Sequence, residues 1–252
     1  MKIDYPSPHH RSQQRKLWQD AFGDTDAFLD SFFRTAYAPD RCRCVLIDGE
    51  IAAILYWIDC TLQGQKLAYI YAVVTRPDHR GKGLCRMLIQ DTHSLLRSRS
   101  YAGALLVPQK ESLRQMYAGM GYRDIGGLQE FRCLAGNDPV ALRAVGPEEY
   151  AALRRGLLPP GGVIQEGAGL AFLAEQLQFY AGSDVLLAAY AEKGPLFVPE
   201  LLGSPDAAPG ILKTLALSQG VFRMPGNEKH FAMFHPLAAD CIYPGYLGFA
   251  FD

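Results

Sequence analysis

No stretch of the 252-residue chain stays apolar for the roughly 18 residues that a membrane-crossing helix requires. The first residues carry Asp4, His9 and His10 where a signal peptide would need an apolar core, so the cytoplasm is the expected compartment. Charge of either sign is in no excess: 25 Lys and Arg face 26 Asp and Glu, a formal net charge of -1. Such a balance gives no electrostatic support for a nucleic-acid or membrane-surface partner. Cysteine is sparse, six residues at 42, 44, 60, 85, 133 and 241, with no Cys-x-x-Cys pair. Cys42 and Cys44 alternate within a strand-like segment and so share one face, which reads as reduced, structural thiols with no metal site. A hydrophobic content of 49% and a charged content of 20% are ordinary for a globular enzyme.

Against this plain background one run stands out: His79-Arg80-Gly81-Lys82-Gly83-Leu84-Cys85-Arg86. Before it, Leu67 to Val74 is apolar, aromatic and β-branched, the composition of a buried strand ended by Pro77. After it, Leu84, Met87, Leu88, Thr92 and Leu95 recur at three- and four-residue spacings, the stripe of a helix that opens at the glycines. The first N–H groups of a helix have no partner within it, and its dipole favours negative charge there. Glycines at 81 and 83 allow close backbone approach, and Arg80 and Lys82 add full charge, so the run suits a pyrophosphate. A nucleotide-triphosphatase loop is excluded, because Leu84 and Cys85 stand where Lys and Ser or Thr would follow the second glycine. A dinucleotide fingerprint is excluded because its third glycine is missing. A basic turn capping an ordinary helix is the remaining alternative.

The same residues resemble the acetyl-coenzyme A loop of the GCN5-related N-acetyltransferases (GNAT superfamily), Arg/Gln-x-x-Gly-x-Gly/Ala. Arg80, Gly81, Lys82, Gly83, Leu84 and Cys85 occupy its positions, with Cys85 in the final small-residue place. Val74-x-x-Pro77-x-x-Arg80 is similar to the family's lead-in. A second signature, Tyr-x-x-x-Gly-Phe/Tyr, is matched downstream by Tyr117, Gly121 and Tyr122. The resemblance implies an α/β (α+β) fold, a mixed, mostly antiparallel sheet flanked by helices. It also implies acetyl-coenzyme A as cosubstrate and transfer of its acetyl group to a primary amine on a small molecule or peptide. The strand at 69 to 74 would carry a bulge and splay from its neighbour, and the pantetheine arm would bond to the backbone of Ala72, Val73 and Val74. Tyr117 would protonate the departing thiolate.

The chain is long for one such domain, whose common size is about 150 residues. Residues 1–136 read as a complete copy: a strand at Met1 to Tyr5, helices near 11–22 and 25–36, and strands near 42–48 and 51–60 joined by Asp48-Gly49, a hairpin signal. The strand, loop and helix above follow, then a strand at Gly103 to Val107, a helix near 111–119 and a strand at Glu130 to Leu134. After a linker at Asn137-Asp138-Pro139, residues 139–252 repeat this order faintly. A strand at Ala141 to Val145 precedes a helix from Pro147 and a helix from Gly169 to Tyr180. Strands at Val185 to Tyr190 and Pro195 to Leu202 are separated by Glu192-Lys193-Gly194, and Ile211 to Leu217 is helical. Further strands are expected at Val221 to Met224, His230 to His235 and Tyr246 to Phe251. The counterpart of the glycine loop, Gly203 to Gly210, has no Lys or Arg, carries Asp206, and contains prolines that donate no N–H. The second half is therefore expected to be a degenerate copy without coenzyme, or an unrelated α/β extension.

No spacing selects a general base: Glu50, Asp59, Glu111, Glu130, His230 and His235 read equally well as surface or structural polar groups. The arrangement is also similar to tandem aminoglycoside acetyltransferases of the enhanced-intracellular-survival type, in which the terminal carboxylate assists the base. That resemblance points to Asp252, at the end of an aromatic run. A catalytically silent coenzyme A sensor or structural module, and an acyltransferase for larger acyl groups, remain open, as does assembly as a monomer or homodimer.

Overall fold

A computed structural model describes residues 1–190 and 194–250. The N-terminal strand β1 (Lys2–Asp4) is followed by helices α1 (Arg11–Phe22) and α2 (Asp26–Thr35). Gly23, left-handed at φ 77°, ends α1, and the Thr25 side chain accepts from Phe28 N to start α2, so two caps fix the tight corner between the helices. Strands β2 (Cys42–Ile47), β3 (Glu50–Leu62) and β4 (Gln65–Thr75) form a meander. The first of its turns is the expected Asp48-Gly49, both at positive φ. The second, Gln63-Gly64, has the same backbone but gives no comparably strong sequence signal, and the two strands it joins are longer than the sequence suggests. Helix α3 (Leu84–Ser98), β5 (Gly103–Leu106), α4 (Glu111–Ala118) and β6 (Arg123–Leu134) follow.

The chain continues through β7 (Arg143–Val145), α5 (Pro147–Leu157), α6 (Gly167–Leu173), β8 (Leu177–Ala181), β9 (Val185–Tyr190), β10 (Leu196–Val198), β11 (Glu200–Gly203), α7 (Ala208–Thr214), β12 (Gln219–Pro225) and β13 (Lys229–Pro236). Nine strands make one mixed, mostly antiparallel sheet in the order β1-β2-β3-β4-β5-β13-β6-β12-β10, and β11-β9-β8-β7 make a second. The large sheet thus runs across the 136–139 junction: β13 lies between β5 and β6, with Phe234 opposite Leu105 on one side and Arg123 on the other. The chain passes from one edge of β6 to the other between β12 and β13, and crosses Gly127, where a Cβ would stand 2.4 Å from the Gly226 carbonyl. Alternation along β3 splits the core. Ile54, Tyr56 and Ile58 pack under α1 and α2, while Ala53, Leu55 and Trp57 pack under α3.

Three expectations for the second half are corrected. The helix read from Gly169 to Tyr180 stops at Leu173, and Leu177, Phe179 and Ala181 then alternate inward as β8. The run Pro195 to Leu202 divides at Pro199, which has no N–H for a ladder, into β10 and β11 in different sheets. Among the described residues Tyr246 to Ala250 makes one bridge, Tyr246 to Gly162, and Gly248 then turns to φ 94°. Its neighbours are buried all the same. The Glu192-Lys193 turn and Phe251 lie outside the described residues. Among the described residues no helix is long and apolar enough to cross a membrane, and no cluster of His, Cys, Asp and Glu is arranged to hold a metal.

Candidate active site

The site begins with a register fault. On β3, Ile54 faces Val74 and Tyr56 faces Tyr71, so Leu55 alone stands opposite Ala72 and Val73. Ala72 takes the extra turn at φ 47°, which is the expected bulge. On the other edge, β4 pairs in parallel with β5 only from Leu67 to Tyr69, so the two strands part beyond Tyr69 and Leu105. The gap opens into a cavity of about 280 Å³ lined by Ala72 and Val73, by Leu106 to Gln109, and by Tyr117. Its far wall comes from α1, the α1–α2 corner, α2, Gln176 and Tyr190.

At the end of β4 the chain makes a short 3-10 turn at Pro77–His79 and then the glycine loop. Gly81 and Gly83 are both left-handed, at φ 74° and 77°, and a Cβ on either would meet nothing within 4 Å, so the loop is open to a ligand. Gly83 is the N-cap of α3. Among the described residues the N–H groups of 81, 82 and 83 have no acceptor. Arg80 Nε donates to the Thr75 carbonyl at 3.2 Å and Lys82 Nζ to the Asp78 carbonyl at 2.9 Å. Neither cation has a carboxylate partner among the described residues. The Asp78 carboxylate is taken by Arg76, which holds its pKa below the usual value. Orphan donors, a helix N-terminus and two unneutralised cations make a polyanion site.

Tyr117 sits on α4 with its side chain almost wholly buried. Burial, and then the nearby Cys85, push its pKa well above that of a free tyrosine, so it stays protonated throughout the physiological range. Burial raises the Cys85 thiol to about 11, which makes it a packing group and not a nucleophile. Of the residues expected from sequence, the cavity brings together Ala72, Val73 and Tyr117. Val74, Arg80, Gly81, Lys82, Gly83, Leu84 and Cys85 lie outside its lining.

None of the six acid or histidine candidates for a base lines the cavity. Glu50 pairs with Arg76, Asp59 with Arg41, and Glu130 with Arg223 and Lys229. His235 stacks on His93 at 4.3 Å. Asp252 lies outside the described residues. The tail before it is anchored by a buried ion pair: Arg154 Nε to Glu200 Oε2 at 2.7 Å, with Tyr150 and Tyr246 donating to the same carboxylate at 2.6 and 3.0 Å. Gln165 Nε2 then donates to the Phe249 carbonyl at 2.9 Å. Sequence reasoning did not find Trp18, Asp24, Gln176 or Tyr190, and it gave Arg86 no role of its own. Only Arg86 had a local signal, its place in the first turn of α3.

Residues 2–125 match the acetyltransferase (GNAT) domain family. These residues belong to the GNAT superfamily. Solved structures agree on the GNAT fold across nearly the whole chain. A GCN5-related N-acetyltransferase from Kribbella flavida superposes with a TM-score of 0.71 at 18% identity, over 95% of this chain and 73% of that one. Eis1 from Mycobacterium abscessus gives 0.67 at 13% identity, over 94% and 74%. A tandem GNAT protein from the clavulanic acid biosynthesis pathway gives 0.56 at 10% identity, over 95% and 100%. No curated protein matches the sequence. GNAT proteins generally bind acetyl-coenzyme A, and the residues here suit it: a glycine loop with free donors for the pyrophosphate, and a bulged strand edge left unpaired for the pantetheine amides.

Proposed function

We propose that this GNAT protein transfers an acetyl group from acetyl-coenzyme A directly to a primary amine. The observation that carries the reading is the convergence of the β4 bulge, the β4–β5 gap and the Tyr117 side chain on one cavity. In this reading Arg80, Gly81, Lys82, Gly83, Leu84 and Cys85 hold the pyrophosphate. The backbone of Ala72 to Val74 orients the pantetheine, and an N–H of the bulge polarises the thioester carbonyl. The amine nitrogen bonds to the carbonyl carbon, the C–S bond breaks, and Tyr117 supplies a proton to the thiolate. Tyr117 keeps its proton until the sulfur charge develops, although burial makes it a weaker acid than a free tyrosine. The Asp252 side chain takes the proton that the amine loses, a role supported by the burial of the tail that leads to it.

Residues 1–136 form the coenzyme-binding unit and residues 139–252 a copy that binds none. The loop after β11 supports this: Asp206 stands at its 3-10 turn and the Ser204 hydroxyl is already spent on Asp206 N. The protein works in the cytoplasm, as a monomer or homodimer. Incubation with acetyl-coenzyme A and a pool of amines, followed by free-thiol release and product mass shift, tests the reading. Tight coenzyme binding without thiol release from any amine would identify a coenzyme A sensor or structural module instead. Equal or faster turnover of longer acyl thioesters would identify a broader acyltransferase.

A further inference from the structure

The composition of the cavity wall narrows the acceptor, an inference that rests on the acyl-transfer reading above. Asp24 is the sole charged side chain among the described residues that line the cavity, and no lysine, arginine or histidine does so. Its position is fixed from three directions. Gly23 caps α1 before it, Thr25 caps α2 after it, and Trp18 Nε1 donates to its Oδ2 at 2.7 Å. Oδ1 is left for a ligand. Around the carboxylate, Trp18 meets Phe22, Phe28 and Tyr71 edge to face at 6.1, 6.4 and 5.3 Å, and Tyr69 and Tyr190 extend the aromatic lining. A fixed carboxylate within aromatic rings selects a cation with an apolar body, by charge pairing and by attraction of the cation to ring faces.

Size and charge exclude other amines. A cavity of about 280 Å³ lies at the small end of ligand sites and must also admit the thioester. A polyamine or aminoglycoside would bring several ammonium groups to one carboxylate and strand the rest against rings. An amino acid with a free carboxylate would meet Asp24 with no cation among the described lining residues to compensate.

We propose that the acceptor is a small monocationic arylalkylamine, its ammonium drawn in by Asp24 and its ring seated against Trp18, Phe22 and Phe28. The ammonium loses one proton to solvent or base before attack. As the C–N bond forms and the C–S bond breaks, the nitrogen sheds a second proton and the thiolate gains one, so amide and free thiol leave with one net proton released.

The test is calorimetric titration of the full chain, with coenzyme A present, using 2-phenylethylamine, spermidine and glutamate as probes, alongside acetyl transfer to the same amines. Phenylethylamine should bind at least about tenfold more tightly than either rival. Asp24→Asn, whose amide oxygen can still accept from Trp18, should weaken it by about ten- to hundredfold and leave coenzyme A affinity unchanged. Tighter binding of spermidine or glutamate, or an Asp24→Asn variant of unaltered affinity, would overturn the proposal. Preferential acetylation of spermidine would also overturn it, while keeping acetyl transfer. Phenylethylamine binding with no acetylation of any amine would uphold the pocket and remove acetyl transfer. Because the probe series needs no mutant, poor folding of Asp24→Asn leaves the outcome decidable.

Discussion

Arg86 Nη1 donates to the carbonyl of Gly119 at 2.9 Å. The bond ties the first turn of α3, which opens at the glycine loop, to the residue that caps α4, two positions beyond Tyr117. The glycine loop and Tyr117 are therefore held at a fixed spacing by one guanidinium, although 33 residues of chain separate its two ends.

Tyr117→Phe should lower kcat by about 100-fold and leave coenzyme affinity nearly unchanged, since a general acid acts in the transition state. The ring still packs against Tyr122, so thermal stability should hold. Steady-state kinetics with a competent amine will read this. Unchanged turnover with a lower melting temperature would make Tyr117 a packing residue.

Arg80→Ala should weaken coenzyme A binding by about tenfold or more, because a charge-assisted hydrogen bond to phosphate is lost. Arg80 is exposed and, among the described residues, its side chain hydrogen-bonds only to the Thr75 carbonyl, so the fold should be indifferent. Calorimetry against coenzyme A, with stoichiometry of one per chain expected, checks both the loop and the silence of the second half.

His93 and His235 predict acid sensitivity at the place where β13 enters the sheet. They stack at 4.3 Å, and His93 Nε2 bonds to the Tyr122 hydroxyl at 2.8 Å. Burial first, then His235 and Arg97, bring His93 down to about 3, and burial also lowers His235. Both rings stay neutral in the native state where the unfolded chain's would be charged. The His93 contribution is fully present above about pH 6.5 and is lost as pH falls from there toward 3, and that of His235 is lost in the same direction. For His93 the slope should reach about 1.4 kcal/mol per pH unit. Urea midpoints at pH 7.5, 6 and 5 should fall steeply, and His93→Gln should flatten the fall.

Glu200→Gln should destabilise the protein by about 3–5 kcal/mol, because Arg154 would keep its charge in a site that is 2% exposed with no countercharge. Replacing both members by Leu and Met should recover most of the loss. Limited proteolysis should find the tail from Tyr246 released in the single variant and protected in the double one.

Much of this protein is set by short-range patterns. The β4-loop-α3 unit, the Asp48-Gly49 hairpin and the Tyr117 helix all follow from periodicity and glycine placement, because each depends on backbone geometry within a few residues. The anion site is legible for the same reason: its donors, Gly81 to Leu84, are consecutive. The far wall of the cavity was not legible. Trp18 and Asp24 reach Tyr71 and Tyr190 only through packing, and no spacing in sequence encodes which faces of distant elements meet. Nor could the chain show that β13 leaves its own half to lie between β5 and β6, since alternation specifies that a strand has an inner face but not which edge it joins. Local chemistry determined the glycine loop that opens α3, and tertiary packing alone decided what lines the cavity beside the β4 bulge.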